Sequence, residues 1–226
     1  MKITEFIHAK SELNPLIWDQ DMLNQQVRLK LISVAVHFKK FVEIDFPVLD
    51  LQLTGGMVSR YYTEHSDLDL HIITDYDQIE CDQEASELFD TKRKLYKIEH
   101  NIEIKSIPVE LYVEDVNQPS KGGAFSLIKN KWIRRAPEPK GEINFSAVET
   151  NTEKFHNLIN RAIATNDIHS LEQVKKFIWS YRQQGLAKDG EYSVANLTFK
   201  NLRNKGILAN LITVLKRLQD QSLGLK

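Results

Sequence analysis

Two aspartates, Asp67 and Asp69, stand two positions apart in the segment DLDLHI, residues 67–72. Polar and apolar residues alternate there, as in a β-strand, so both carboxylates are expected on one face and the apolar side chains on the core face. Side chains two residues apart on a strand lie about 6–7 Å apart. Parallel carboxylates at that spacing repel each other unless a cation lies between them, and Mg²⁺ takes such oxygens together with phosphate oxygens. The pair therefore predicts a magnesium site that handles phosphate.

A pair of glycines, Gly55 and Gly56, follows the alternating segment LDLQL at residues 49–53. The alternation predicts a second strand, which would stop at the glycines. Without side chains, a glycine turn lets the backbone approach a phosphate closely. A strand, a glycine turn, the linker 57–66 and an acidic strand form an order that is typical of nucleotide-handling proteins.

This order resembles the DNA polymerase β-like nucleotidyltransferases. Their pattern is Gly-Gly or Gly-Ser after a hydrophobic residue, about ten intervening residues, Asp-x-Asp between hydrophobic residues, and a third acid on a later strand. Gly55-Gly56 and the segment SDLDL at 66–70 match it, and GEYSVANLTFKNLRNKG at 190–206 is similar to nucleotidyltransferases predicted in bacteriophages and large DNA viruses. Gly-Gly in place of Gly-Ser removes a hydroxyl that could touch phosphates, so backbone contacts would have to serve.

The third acid has two candidates in the segment NIEIKSIPVELYVED, residues 101–115. Pro108 is expected to divide it into two short alternating pieces, with Glu103 in the first and Glu110 in the second. We favour Glu110 because its piece is longer, is richer in strand-forming residues and leads into the loop 117–123. Glu103 is the alternative.

The resemblance and these residues together imply transfer of a nucleoside monophosphate from a nucleoside triphosphate to an acceptor hydroxyl, with release of pyrophosphate. Asp67 and Asp69 would hold two Mg²⁺ ions about 4 Å apart. Glu110 would complete the ion on the acceptor side and accept the proton.

Further residues are candidates for nucleotide contact. Gly55 and Gly56 would offer backbone N–H groups to the triphosphate. Ser66 would orient the neighbouring carboxylate, although an exposed serine at a strand start is the commoner situation. Arg60 would either reach a phosphate or pack beside its tyrosine neighbours. Lys129 and Lys131 are either phosphate contacts or ordinary surface lysines.

The spacing of apolar residues predicts an α/β (α+β) protein, and the resemblance implies a polymerase β-like core, a small mixed sheet flanked by helices, followed by a helical C-terminal segment. Helices are predicted at about 21–42, 77–96, 147–165, 168–184, 193–204 and 206–219, and strands at about 48–54 and 67–74. The proline-broken segment APEPKGE begins at residue 136. We therefore predict a nucleotidyltransferase core with an N-terminal helix at 1–135, a linker at 136–145 and a helical domain at 146–226.

Charge is unevenly distributed, although the net charge of the 226 residues is only −1. Residues 61–90 contain ten acids and no Lys or Arg, 121–140 contain six basic residues and one acid, and 151–226 contain twelve basic residues and six acids. A basic helical segment would suit a nucleic-acid backbone, so an RNA end, with tRNA first, is the expected acceptor. A protein hydroxyl or a small molecule such as an aminoglycoside is the alternative acceptor, and a solvated surface is the alternative reason for the charges.

Other classes of protein are disfavoured. The single cysteine, Cys81, excludes an internal disulfide, the N-terminus lacks the apolar stretch of a secretory signal, and no run of about 18 apolar residues occurs, so we expect no membrane partner and a soluble, cytoplasmic protein. His65 and His71 lack the spacing of a transition-metal site. A nucleotide-binding module without chemistry stays open, because a fold does not fix a function.

Overall fold

The computed structural model describes residues 10–79, 82–120, 122–139 and 141–225. Cys81 and Lys121 lie outside these ranges. The described residues form two compact units, 10–138 and 139–225. The first combines a sheet with helices and the second is helical, so the described chain is mixed α/β.

The sheet unit contains eight strands within the described residues. Along the chain they are β1 (Trp18–Asp19), β2 (Met22–Leu23), β3 (Asp50–Thr54), β4 (Leu68–Thr74), β5 (Glu103–Ile104), β6 (Ile107–Asp115), β7 (Ala124–Ser126) and β8 (Lys131–Arg134). β1 and β2 form a separate hairpin, and the other six form a mixed sheet in the order β5-β6-β4-β3-β7-β8. β4 and β6 are parallel, and the remaining neighbours are antiparallel. The acidic strand β4 therefore lies in the interior of the sheet.

Alternation along β4 separates an apolar face from a polar face. Leu68, Leu70 and Ile72 are fully buried, whereas Asp69 and His71 are only partly buried. The three apolar residues share one core cluster with the buried side of the helix α1 (Gln25–Val42). The apolar face thus packs against helix, and the charged residues lie on the opposite face.

The second helix of this unit, α2 (Asp82–Glu99), connects β4 to its parallel neighbour β6. It begins and ends later than the predicted span 77–96, because Asp75 caps a separate short turn, Tyr76–Gln78, by accepting a hydrogen bond from the Asp77 N–H. The shift places Lys97 in the last turn of the helix.

The predicted break at Pro108 is wrong. β5 and β6 instead meet at Lys105 and Ser106, whose φ angles of 55° and 62° form a tight two-residue hairpin turn. Pro108 lies inside β6, next to Val109, whose N–H donates to the Ile102 carbonyl. Hydrogen-bonded and non-bonded pairs alternate in such a ladder, and pairing with β4 starts only at Val109, so the missing N–H of Pro108 costs no ladder bond.

The helical unit contains α3 (Phe145–Thr165), α4 (Ile168–Asp189), α5 (Val194–Asn204) and α6 (Ile207–Ser222). Asn144, Asp167 and Ser193 cap the first three of these helices with their side chains. Each helix contacts the other three around one apolar core. No helix among the described residues is long and apolar enough to cross a membrane.

Candidate metal centre

Three carboxylates meet on the polar face of the sheet. Asp69 on β4 is the register partner of Glu110 on β6, and Asp67 immediately precedes β4. One oxygen of each lies within 4.8 Å of an oxygen of the other two. Because β4 and β6 are adjacent and parallel, residues far apart in sequence face the same side at the same level. The structure thus brings together the three acids that we favoured as metal ligands.

The donor set fits a hard divalent cation. All three groups are partly buried oxygen ligands, the kind that Mg²⁺ and Mn²⁺ prefer over His or Cys sites. Within the described ranges, no other group of three His, Cys, Asp or Glu residues lies close enough to hold an ion. Glu103 is exposed on the edge strand β5, outside the group, and His65 and His71 are not members of it either.

Glu110 is held by two hydrogen-bond donors. Lys97 Nζ contacts its Oε1, and Tyr112 Oη donates to its Oε2 at 2.8 Å. Burial raises the pKa of Glu110, but the hydrogen bonds from Lys97 and Tyr112 outweigh that effect, so the pKa lies below its usual value. The carboxylate therefore stays charged at neutral pH, as a metal ligand must.

Tyr112 is fixed among charged and aromatic neighbours. The Arg93 guanidinium lies 4.8 Å from its ring centroid, and the His71 ring lies 4.9 Å from it. Burial, and then the charge of Asp69, raise the pKa of Tyr112 well above its usual value. The phenol thus stays protonated and continues to donate to Glu110.

Sequence reasoning did not identify Arg93, Lys97 or Tyr112 as neighbours of the site. Two signals for them exist. Tyr112 stands two residues after Glu110 on the same strand and so faces the same side. Arg93 and Lys97 are four residues apart and share one helix face.

Gly55 makes room for the second aspartate. Its φ of 73° and ψ of −153° are accessible in practice only to glycine. A Cβ at this position would lie 1.7 Å from Asp69 Oδ2, so the carboxylate occupies the space that a side chain would need. The glycine that follows β3 is therefore required by the acid on β4, a reason that the linear sequence does not show.

Gly56 and the residues after it form a compact turn. The Gly56 carbonyl accepts hydrogen bonds from the Ser59 N–H at 3.1 Å and the Ser59 hydroxyl at 2.9 Å, and the Gly55 carbonyl accepts one from the Val58 N–H at 3.4 Å. Because the two sides of a trans peptide point in opposite directions, the N–H groups of Gly56 and Met57 point away from these contacts. The indole N–H of Trp18 fixes the turn from the β1 side by donating to the Met57 carbonyl at 2.8 Å.

Ser66 closes the linker between the turn and the acidic strand. Its Oγ accepts a hydrogen bond from the Thr63 N–H at 2.9 Å, and its own N–H donates to the Thr63 carbonyl at 3.1 Å. A Cβ at Gly56 would lie 3.1 Å from the same Oγ. Ser66 thus stands beside the glycine turn, and its hydroxyl shapes the loop that leads to Asp67.

The three cationic candidates lie at different positions. Arg60 donates to Glu138 Oε1 at 2.9 Å, and both residues line a cavity of about 230 Å³ together with Ser59 and Tyr61. Lys129 and Lys131 are exposed at the β7–β8 end of the sheet. Lys131 lies on the polar face of the sheet, three strands from β4. The register shows this, because Lys131 is the partner of Ser126, Ser126 of Gln52, and Gln52 of His71.

A histidine–carboxylate pair lies one step along the strands from the metal ligands. His71 Nδ1 contacts Glu114 Oε2, and both side chains are 15% exposed. Burial raises the pKa of Glu114, but hydrogen bonds from His71 and the Ser120 N–H lower it below its usual value. This pair holds β4 and β6 together on the polar face.

Comparisons of the chain with protein-family models, with curated proteins and with solved structures give no significant match.

Proposed function

We propose that this protein is a Mg²⁺-dependent nucleotidyltransferase that transfers a nucleoside monophosphate from a nucleoside triphosphate to an acceptor hydroxyl. The observation that carries the proposal is the meeting of Asp67, Asp69 and Glu110 beside a glycine turn built around one of them. Three ionised acids whose oxygens lie within 4.8 Å of one another repel each other unless cations neutralise them. A backbone that is shaped at Gly55 to make room for one of these acids supports a cation-binding role.

The topology supports assignment to the polymerase β-like class. β3 and β4 are antiparallel neighbours, the glycine turn follows β3, and the third acid lies on a parallel strand reached through α2. This is the order of parts that the sequence pattern implies for that class. We propose the class on this arrangement together with the sequence resemblance.

Each part of the site has a role in the proposed reaction. Asp67, Asp69 and Glu110 would hold Mg²⁺, which supplies charge neutralisation for the leaving pyrophosphate and activation of the acceptor hydroxyl. The backbone N–H groups of Gly55 and Gly56 would contact the triphosphate. Tyr112 keeps Glu110 aimed at the site by its hydrogen bond. The acceptor would approach from the β6 side, because the glycine turn lies on the β3 side of the aspartates.

The test is transfer of label from each of the four α-labelled nucleoside triphosphates in the presence of Mg²⁺, with total cellular RNA and total protein as acceptors. Asp67→Asn and Asp69→Asn should reduce transfer by about 10³-fold or more, since metal ligation supplies several kcal/mol to such reactions. Absence of labelled product with any nucleotide, or near-normal turnover in either variant, would contradict the proposal.

For the acceptor we propose an RNA end, with tRNA as the first candidate. The excess of twelve basic over six acidic residues in 151–226 lies in a separate helical unit, which would suit a phosphate backbone. The test is tRNA binding between low and physiological salt. Each phosphate contact with a duplex arm should contribute about −0.9 to the slope of log affinity against log salt concentration, so about six contacts should give a slope of about −5. If the transferred label appeared only on protein or on a small molecule, that class of molecule would be the acceptor and the RNA proposal would be wrong.

A further inference from the structure

Lys97 forms an ion pair with Glu110, the same carboxylate that a metal ion would need as a ligand. Its ammonium contacts Oε1 of Glu110, and Glu110 is one of the three clustered acids. Lys97 lies in the last turn of α2 and reaches Glu110 on β6. β5 pairs only with the first residues of β6, before Glu110. In this structure a side-chain cation therefore provides part of the charge that balances the three carboxylates.

The two donors to Glu110 differ in how firmly they are held. The Lys97 side chain is 65% exposed, and exposed lysine ion pairs are weak and readily exchanged. Tyr112, in contrast, is only partly exposed and packs against both Arg93 and His71, while donating to the other oxygen, Oε2. Glu110 would thus stay in position if Lys97 left it.

We propose that Lys97 is an exchangeable counter-ion of Glu110. When a divalent cation binds the three acids, the Lys97 ammonium leaves Glu110 and binds a phosphate group of the acceptor. The inference rests on the proposed function, since it concerns the same site. Strand order places Lys97 on the acceptor side, because β4 separates β6 from β3 and its glycine turn. An ammonium carries three donors and no fixed geometry, which suits an exchange between a carboxylate and a phosphate.

The chain offers a matched control for this lysine. Lys94 lies on the same helix, is 66% exposed and pairs with Asp90 instead of Glu110. Lys94→Met and Lys97→Met each remove one exposed, paired lysine from α2. Only the second removes the contact with the clustered acids.

The first measurement is Mn²⁺ affinity by titration calorimetry on the full chain. Lys97→Met should bind Mn²⁺ about 2–5-fold more tightly than the wild type, because the ion no longer competes with the ammonium, and more tightly than Lys94→Met. Unchanged binding in Lys97→Met would show that Lys97 does not compete with the metal, and weaker binding would show that it positions Glu110. Either result would overturn the proposal. An equal gain in both variants would show a general charge effect and also overturn the proposal.

The second measurement is the affinity for a short single-stranded RNA oligonucleotide at saturating Mn²⁺. Lys97→Met should bind about tenfold more weakly than Lys94→Met, since only Lys97 would contact a phosphate. Equal affinities would overturn the phosphate contact. Asp69→Asn distinguishes the two levels of the account: if it binds Mn²⁺ as tightly as the wild type, the proposed function fails, whereas a failure confined to Lys97→Met leaves the metal site intact.

Discussion

The polar face of the sheet unit and the helical unit obey different rules. In the helical unit, apolar residues lie in one core and three of the four helices begin with a side-chain cap. The buried Asn201 side-chain amide donates to the Thr152 hydroxyl at 2.9 Å. On the sheet face, three acids cluster and Gly55 adopts a backbone conformation that other residues avoid. Folding alone favours the first arrangement, and departures from it that carry no evident stabilising gain are expected at functional sites.

This contrast also bears on stability. A buried leucine contributes to the fold through the apolar surface that it removes from water. The mutual repulsion of clustered carboxylates opposes folding until a cation joins them. Substitutions in the two regions should therefore separate effects on activity from effects on folding.

The largest expected effect is on activity and would come from Glu110→Gln. A neutral amide cannot replace a charged metal ligand, so transfer should fall by about 10³-fold, which corresponds to about 4 kcal/mol. Glu103→Gln is the matched control, because it removes the same charge from the neighbouring exposed strand β5. Equal losses of activity in a labelled-nucleotide assay, or a larger loss for Glu103→Gln, would show that the assignment of the third ligand to β6 is wrong.

In the helical unit the expected effect is on folding. Leu211 on α6 is fully buried, so Leu211→Ala should lower the free energy of unfolding by about 2–5 kcal/mol. Ile212, the next residue, is 44% exposed, and Ile212→Ala should cost less than about 1 kcal/mol. Denaturant unfolding of the two variants compares them. Similar losses would mean that the buried face of α6 is misassigned.

Gly55→Ala should combine both effects at an intermediate size. The alanine would be held in an unfavourable backbone region, at a cost of about 1–3 kcal/mol, and its Cβ would displace the Asp69 carboxylate. Gly56→Ala is the control, since Gly56 has no positive φ and its Cβ would meet only the Ser66 side chain, with Oγ at 3.1 Å. Denaturant unfolding and Mn²⁺ titration should both show the larger loss for Gly55→Ala. If Gly55→Ala changed neither the free energy of unfolding nor the Mn²⁺ affinity, the close contact between Gly55 and the Asp69 carboxylate would be wrong.

Sequence patterns predicted regular elements better than tertiary detail. Apolar spacing gave the four C-terminal helices to within a few residues, because each buries one continuous stripe. It misplaced the break before β6, since Pro108 is a strong local signal, whereas the actual turn at Lys105 and Ser106 carries no glycine or asparagine.

The site shows the same division. Period-two alternation is enough to put Asp67 and Asp69 on one face. The neighbours of Glu110 depend on α2 lying against β6, and the need for Gly55 depends on the register between β3 and β4. Neither relation is local in the sequence, so residues such as Lys97 become visible only in three dimensions.

The most direct test of the central claim is thermal unfolding of the wild type and Asp69→Asn with and without Mn²⁺. Asparagine keeps the shape that fills the space beside Gly55 while removing the charge. Mn²⁺ at a hundred times its dissociation constant should stabilise the wild type by about 2.7 kcal/mol and the variant far less. Equal stabilisation of both proteins, or of neither, would contradict the claim that these carboxylates form a metal site.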